Sequence, residues 1–145
     1  MILSIIVCVK NEEKTLEEVI RRIIDVDLGQ DWEKDVIIVD NLSTDGTHNI
    51  LKEIGINNNI SVIYNNIDFG KSYSVRKAIP HCKGDLIISQ DADFEYHPKE
   101  YPRMIKKLHD ENLDVVIGSR IKPGERFHAY RLNELGIKFL TWMTN

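Results

Sequence analysis

The sequence predicts an α/β fold, a mostly parallel sheet with helices on both faces. Two observations carry this prediction. Apolar, β-branched runs alternate with segments whose apolar residues recur at helical spacing. Polar clusters follow several of the apolar runs, where strands would leave the sheet. A chain of 145 residues suits one domain with a real core. Its 42% hydrophobic and 29% charged content is ordinary for a globular protein.

The run Ile2–Val9 is continuous and apolar, as a parallel strand covered on both faces should be. No basic residue precedes it, and Lys10-Asn11-Glu12-Glu13 follows without a small-residue cleavage site. It therefore reads as a strand and not as a signal peptide. Thr15-Leu16-Glu17-Glu18 has the capping-box form, with Thr15 as N-cap. Leu16, Val19, Ile20, Ile23 and Ile24 carry a helix to about Val26, and Gly29 supplies a stop. Asp35–Asp40 is the second strand, and Ser43 to Thr47 is turn and cap chemistry. Ile50, Leu51 and Ile54 predict a short helix ended by Gly55. Ile60–Tyr64 is the third strand, and Lys71–Ile79 is a helix closed by Pro80. Asp85–Gln90 is the fourth strand. Pro98 suits the first turn of a helix whose buried stripe is Tyr101, Met104, Ile105 and Leu108. Val115–Ile117 is a fifth strand, running into Gly118-Ser119-Arg120. After a charged loop from Lys122 to His128, residues Leu132, Leu135, Phe139, Leu140 and Met143 mark a last amphipathic helix.

Several function classes are disfavoured. A net charge of −4 gives no nucleic-acid footprint. The two cysteines, Cys8 and Cys82, make no disulfide framework, which favours a reducing, cytoplasmic compartment. No stretch approaches the ~20 apolar residues of a membrane span, so membrane contact would be peripheral or made by other sequence. The histidines are scattered, and no cysteine or histidine spacing fits zinc.

The most informative feature is Asp91-Ala92-Asp93, directly after the fourth strand. Acids at the carboxyl end of a strand in an α/β sheet lie in the ligand crevice. Such a pair repels itself unless a cation or a shared proton relieves it. Mg²⁺ or Mn²⁺ with a diphosphate would do so, since hard cations take carboxylate and phosphate oxygens. Alone, Asp-x-Asp is more often a pair of solvated loop acids. Lys10-Asn11-Glu12 after the first strand and Asp40-Asn41 after the second fall on the same expected edge. Convergence of three clusters is harder to attribute to accident than any one.

These residues resemble family 2 glycosyltransferases with the Rossmann-like GT-A nucleotide-sugar-binding fold, close to the polyprenyl-phosphate (dolichol-phosphate mannose type) sugar synthases. The likeness is carried by Ser4 to Glu13, Val36 to Thr47, Gly70-Lys71, Gly84-Asp85, Gln90 to Pro98, and Val116 to Arg120. It covers nearly the whole chain, in order. It implies a single GT-A domain over 1–145, expected to be incomplete at its C-terminus because the family continues further.

The resemblance also implies roles. Cys8, Val9, Lys10, Asn11 and Glu12 would flank the nucleotide base, and Asp40 would bind base or ribose. An N-cap for the next helix is the other reading of Asp40. Cys8-Val9-Lys10 replaces the family's usual Pro-Ala-Tyr, which removes a stacking surface and leaves base identity open. Lys71 would lie beside the nucleotide, although Ser72 replaces the family's second glycine and a solvated lysine competes with this role. Asp91, Ala92 and Asp93 match the metal motif. Glu95 would be a third ligand if the segment stays extended, or else a cap for the Pro98 helix. Arg120, helped by Arg126 or Arg131, would hold an acceptor phosphate, unless Arg120 pairs with Asp114 or Glu125.

No catalytic base is identifiable in the sequence. A phosphate acceptor needs none, because it is already an anionic nucleophile. The expectation is thus inverting transfer from a nucleoside-diphosphate sugar to a polyprenyl phosphate at the cytoplasmic membrane face. The alternatives are a transferase acting on polysaccharide or glycoconjugate hydroxyls, and a catalytically silent nucleotide-sugar-binding domain. A phospho-receiver domain would need an acidic pair after the first strand, which is missing.

Overall fold

The computed structural model describes residues 1–57 and 60–118. Among these residues four parallel strands form one sheet: β1 (Ile2–Val9), β2 (Glu33–Asp40), β3 (Ser61–Tyr64) and β4 (Leu86–Asp91), in the order β3-β2-β1-β4. Among the described residues four α-helices connect or follow them: α1 (Leu16–Asp25), α2 (Thr47–Asn57), α3 (Lys71–Ala78) and α4 (Tyr101–Asp110). The α/β class and the parallel sheet agree with the sequence prediction.

The pleat of β1 explains why its sequence shows no polar alternation. Leu3, Ile5, Val7 and Val9 face a core shared with Leu16, Val19, Ile20 and Ile23 of α1, Leu51 and Ile54 of α2, and Tyr101 and Ile105 of α4. Ile6 faces the other way, with Ile37 and Val39 of β2 against Ala78 of α3. Both faces are covered, so both sets of side chains are apolar. Burying an aliphatic side chain such as Ile5 stabilises the fold by about 1.5–3 kcal/mol.

Several boundaries differ from expectation, each for a physical reason. Thr15 does not complete a capping box. Its backbone is already helical (φ −115°, ψ −28°), because Thr15 and Leu16 donate their N–H groups to Glu12 O. Its hydroxyl turns back to Glu12 Oε2 at 2.7 Å, and Glu18 pairs with Arg21 and Arg22 instead. β2 starts two residues early, since Glu33 and Lys34 pair with Ile2 and Leu3 despite their polarity. Gly55 does not end α2 but lies inside it. A Cβ there would sit 3.4 Å from Val62 Cγ2, so the glycine lets α2 lie close to β3. Pro80 falls in a 3₁₀ turn, Ile79–His81, that follows α3.

Val115–Ile117 is not a strand. It has no ladder partner among the described residues, and Val115 and Ile117 are exposed. A β-branched pattern supplies the propensity for a strand but not the hydrogen-bonding neighbour that defines one. The expected final helix, and Arg120, Arg126 and Arg131, lie outside the described residues. No helix among the described residues is long and apolar enough to cross a membrane.

Candidate functional site

From β1 the chain passes to β2 and β3 on one side and to β4 on the other, so the strand order reverses between β1 and β4. Ligands of open α/β sheets bind in the crevice beyond the carboxyl ends of the strands at such a point. The register fixes what gathers there. Cys8 pairs with Asp91, and Val9 pairs with Asp40.

A cleft of about 350 Å³ opens at this position. Of the predicted site residues, Cys8, Val9, Lys10, Glu12, Lys71, Asp91, Ala92 and Asp93 line it. Asn41, Asp68, Gly70 and Ser74 complete the lining. Asp91 is the last residue of β4, so the strand itself aims the acid pair at the crevice. Behind it, buried Gln90 donates its amide to Asp91 O (2.9 Å) and Tyr96 O (3.1 Å), folding the acidic loop back on the strand end.

Two ion pairs cross the cleft. Lys71, the first residue of α3, pairs with Asp91. Lys10 pairs with Asp68, which also accepts hydrogen bonds from Asn41 Nδ2 and from the Gly70 N–H at 2.9 Å. The lysine hydrogen bond first, then the Gly70 and Asn41 bonds, lower the Asp68 carboxyl to about 2. Burial pushes the Cys8 thiol up to about 11, so it is not a thiolate nucleophile at neutral pH.

Asn11 and Asp40 share the edge but are not among the residues lining this cleft. Asn11 stands at φ 56° and accepts the Thr44 N–H at 2.8 Å, tying the end of β1 to the loop after β2. Asp40 is buried; its Oδ1 accepts the Ser43 N–H at 3.0 Å, and its Oδ2 lies 3.6 Å from His48 Nδ1. This is a turn contact and not the N-cap of its alternative reading, because α2 begins later, at Thr47. Glu95 is also outside the cleft lining. Residues 92–96 bend, with the Glu95 N–H on Asp93 Oδ1 at 2.9 Å, so the extended geometry that would align it with Asp91 and Asp93 is absent. Among the described residues no three acids, histidines or cysteines gather as a preformed metal cage.

Sequence reading passed over two lining residues, Ser74 and, with more consequence, Asp68. The signal was present: Asp-x-Gly ahead of a helix is the sequence of a side-chain-to-backbone turn.

The fold has solved counterparts. The mannosyltransferase PcManGT from Pyrobaculum calidifontis, in complex with GDP-Man and Mn²⁺, is 26% identical with a TM-score of 0.58, over 63% of this chain and 27% of that one. S. aureus TarS 1-349 in complex with UDP-GlcNAc is 24% identical with a TM-score of 0.65, over 85% and 37%. Glucosyl-3-phosphoglycerate synthase from Mycobacterium tuberculosis, in complex with Mg²⁺ and UDP, is 24% identical with a TM-score of 0.57, over 73% and 38%. The chain thus spans about a quarter to two-fifths of these proteins. The family model described as Glycosyl transferase family 2 matches residues 4–144. That match runs through every strand end that builds the cleft, and the chain belongs to glycosyl transferase family 2.

Proposed function

We propose that this chain forms the donor site of an inverting glycosyltransferase, binding a nucleoside-diphosphate sugar with a divalent cation. The observation that carries this reading is the meeting of Asp91, Asp93, Lys71 and Lys10 around one cleft at the switch point. Carboxylates and ammonium groups face one another there, which is what a metal-bridged diphosphate requires on its two sides. The donor set fits Mg²⁺ or Mn²⁺. Asp91 and Asp93 offer hard oxygens, and a cationic group, the Lys71 ammonium, already lies against Asp91. PcManGT is solved in complex with GDP-Man and Mn²⁺, and the mycobacterial synthase in complex with Mg²⁺ and UDP. Glu95 is the candidate third carboxylate, reached if the 92–96 bend opens. A bound cation would supply charge that stabilises the departing diphosphate.

The chain's own residues do the remaining work. Lys71 and Lys10 would neutralise phosphate oxygens, the Asn41 amide would donate or accept hydrogen bonds with the nucleoside, and the buried Asp40 carboxylate would accept them. The acceptor is a lipid phosphate, of the polyprenyl-phosphate type, met at the cytoplasmic face of the membrane. Its phosphate oxygen bonds to the anomeric carbon from the face opposite the leaving group. The bond from that carbon to the diphosphate oxygen breaks, and the electron pair leaves on the nucleoside diphosphate. Arg120, with Arg126 or Arg131, would hold the acceptor phosphate by its bidentate fork. The Gln90 to Tyr96 run and Gly118-Ser119-Arg120 support this acceptor class.

The test is a titration with a nucleoside-diphosphate panel, with and without Mn²⁺, in wild type, Asp91→Asn and Asp93→Asn. Mn²⁺-dependent affinity should fall in both variants while the fold persists. Equal affinity in all three would reject the metal role. Transfer to a short-chain polyprenyl phosphate should drop in Arg120→Ala by an amount equivalent to about 2–5 kcal/mol, with donor binding little changed. Use of sugar hydroxyls in place of lipid phosphates would move the acceptor to the polysaccharide class.

A further inference from the structure

We propose that Lys71 is a built-in competitor for the divalent cation, so that metal and diphosphate enter the cleft as a coupled pair. The inference rests on the metal–diphosphate reading above and adds an order of events to it.

The Lys71 ammonium pairs with Asp91 Oδ1, the strand-end carboxylate of the acid pair. An alkyl ammonium is charged at neutral pH, and this one holds Asp91 Oδ1, one of the two oxygens that Asp91 could offer a metal. Two cations cannot share one carboxylate at close range without strong repulsion. A metal arriving alone must displace the ammonium and leave it without a partner. A diphosphate removes that obstacle. Lys71 lines the same cleft as Asp91 and Asp93, and its side chain is half exposed, so it is free to move. Phosphate oxygens would give the ammonium a new partner, which would free the Asp91 carboxylate to hold the cation together with Asp93. Lys10 is not the competitor, because it is held on Asp68 across the cleft.

The coupling is reciprocal: whatever the diphosphate adds to metal affinity, the metal adds to diphosphate affinity. Removing the ammonium should then change the two partial affinities in opposite directions, a pattern that a merely structural lysine would not give. The experiment measures Mn²⁺ binding to the 145-residue chain by the loss of the free-ion electron paramagnetic resonance signal. It uses wild type, Lys71→Met and Lys71→Arg, first alone and then with UDP or GDP, correcting for Mn²⁺ held by nucleotide. Without nucleotide, Lys71→Met should bind Mn²⁺ roughly five-fold more tightly than wild type, the scale of one partly exposed ion pair. Without metal, the same variant should bind UDP or GDP more weakly. The enhancement of Mn²⁺ binding by nucleotide should shrink in Lys71→Met and persist in Lys71→Arg, which keeps the cation. Equal nucleotide-free Mn²⁺ affinity in wild type and Lys71→Met would overturn the competitor role while leaving the metal reading intact. Failure of wild type to take Mn²⁺ even with UDP or GDP would overturn both.

Discussion

Tyr101 donates its hydroxyl to Gln90 Oε1 at 2.7 Å, and both side chains are buried. This bond joins the first residue of α4 to the penultimate residue of β4, and so ties the helix to the strand that carries Asp91. Burial raises the Tyr101 pKa, which keeps the phenol a donor across the working pH range. Gln90 spends its amide on the backbone of the acidic loop, so Tyr101 is the donor that satisfies its other end. Tyr101→Phe would leave a buried acceptor unmade, at a cost of about 1–3 kcal/mol. Denaturant unfolding should show this loss. Hydrogen exchange at residues 91–97 should rise more than at β2.

Gly84 is fixed by its neighbours, not by its φ. A Cβ there would lie 2.5 Å from Ser4 N and 2.7 Å from Leu86 O, both backbone atoms that cannot swing away. The Gly84 N–H donates to Ser4 Oγ at 2.8 Å, and Ser4 in turn donates to Asp35 Oδ2 at 2.6 Å, so three strands meet at this spot. Gly84→Ala should destabilise the fold by about 1–3 kcal/mol, the usual range for overpacking. A melting temperature equal to wild type would show that β4 can start elsewhere.

Asp68 makes the acid limit of the cleft readable. Its folded pKa, about 2, is below the ordinary carboxylate value of 3.8. The stability it contributes is therefore complete above about pH 4 and is lost as pH falls through 2. Asp68→Asn should flatten the stability curve between these limits while leaving its shape above pH 5 alone. Unfolding midpoints measured at pH 2, 3, 4 and 6 check this. Parallel curves for the two proteins would show that the Lys10 pair is not felt in solution.

The strand ends that build the cleft were legible because their chemistry is local. An apolar run followed at once by charged residues places them at a sheet edge, and Asp91 and Lys10 lie where that rule puts them. Features that depend on what the chain meets later were not legible. The turn of Asp68 onto Gly70 could be read in Asp-x-Gly, but its contacts with Lys10 and Asn41 form only when the loop before α3 folds across to them. Thr15 has the right residue type for a cap, but the turn from Glu12 preempts its backbone geometry. Gly55 looks like a stop until β3 packs against it. Val115 to Ile117 has strand residues and no strand beside it among the described residues. The same limit applies to Glu95, whose expected alignment assumed an extended segment where the chain bends.

Asp40 separates the two kinds of role a buried strand-end acid can have. Its Oδ1 holds the Ser43 N–H, which is a structural duty. Its Oδ2 is 3.6 Å from His48 Nδ1, beyond a good hydrogen bond, and so retains acceptor capacity. Asp40→Asn keeps an oxygen for Ser43 and offers its amide to His48, so the turn should survive with a melting temperature near wild type. What the variant loses is the charge. If the carboxylate accepts an N–H from the base, the bond is charge-assisted and worth about 1.5–3 kcal/mol, or roughly ten- to a hundred-fold in affinity. Uracil and guanine both carry a ring N–H that can donate to it. Calorimetric titration with UDP and GDP should therefore show that loss for whichever nucleotide the wild type prefers, with little change for inorganic diphosphate. Unchanged nucleotide affinity in a folded variant would assign Asp40 to the turn alone, and base recognition would have to come from Asn41 and the residues that end β1.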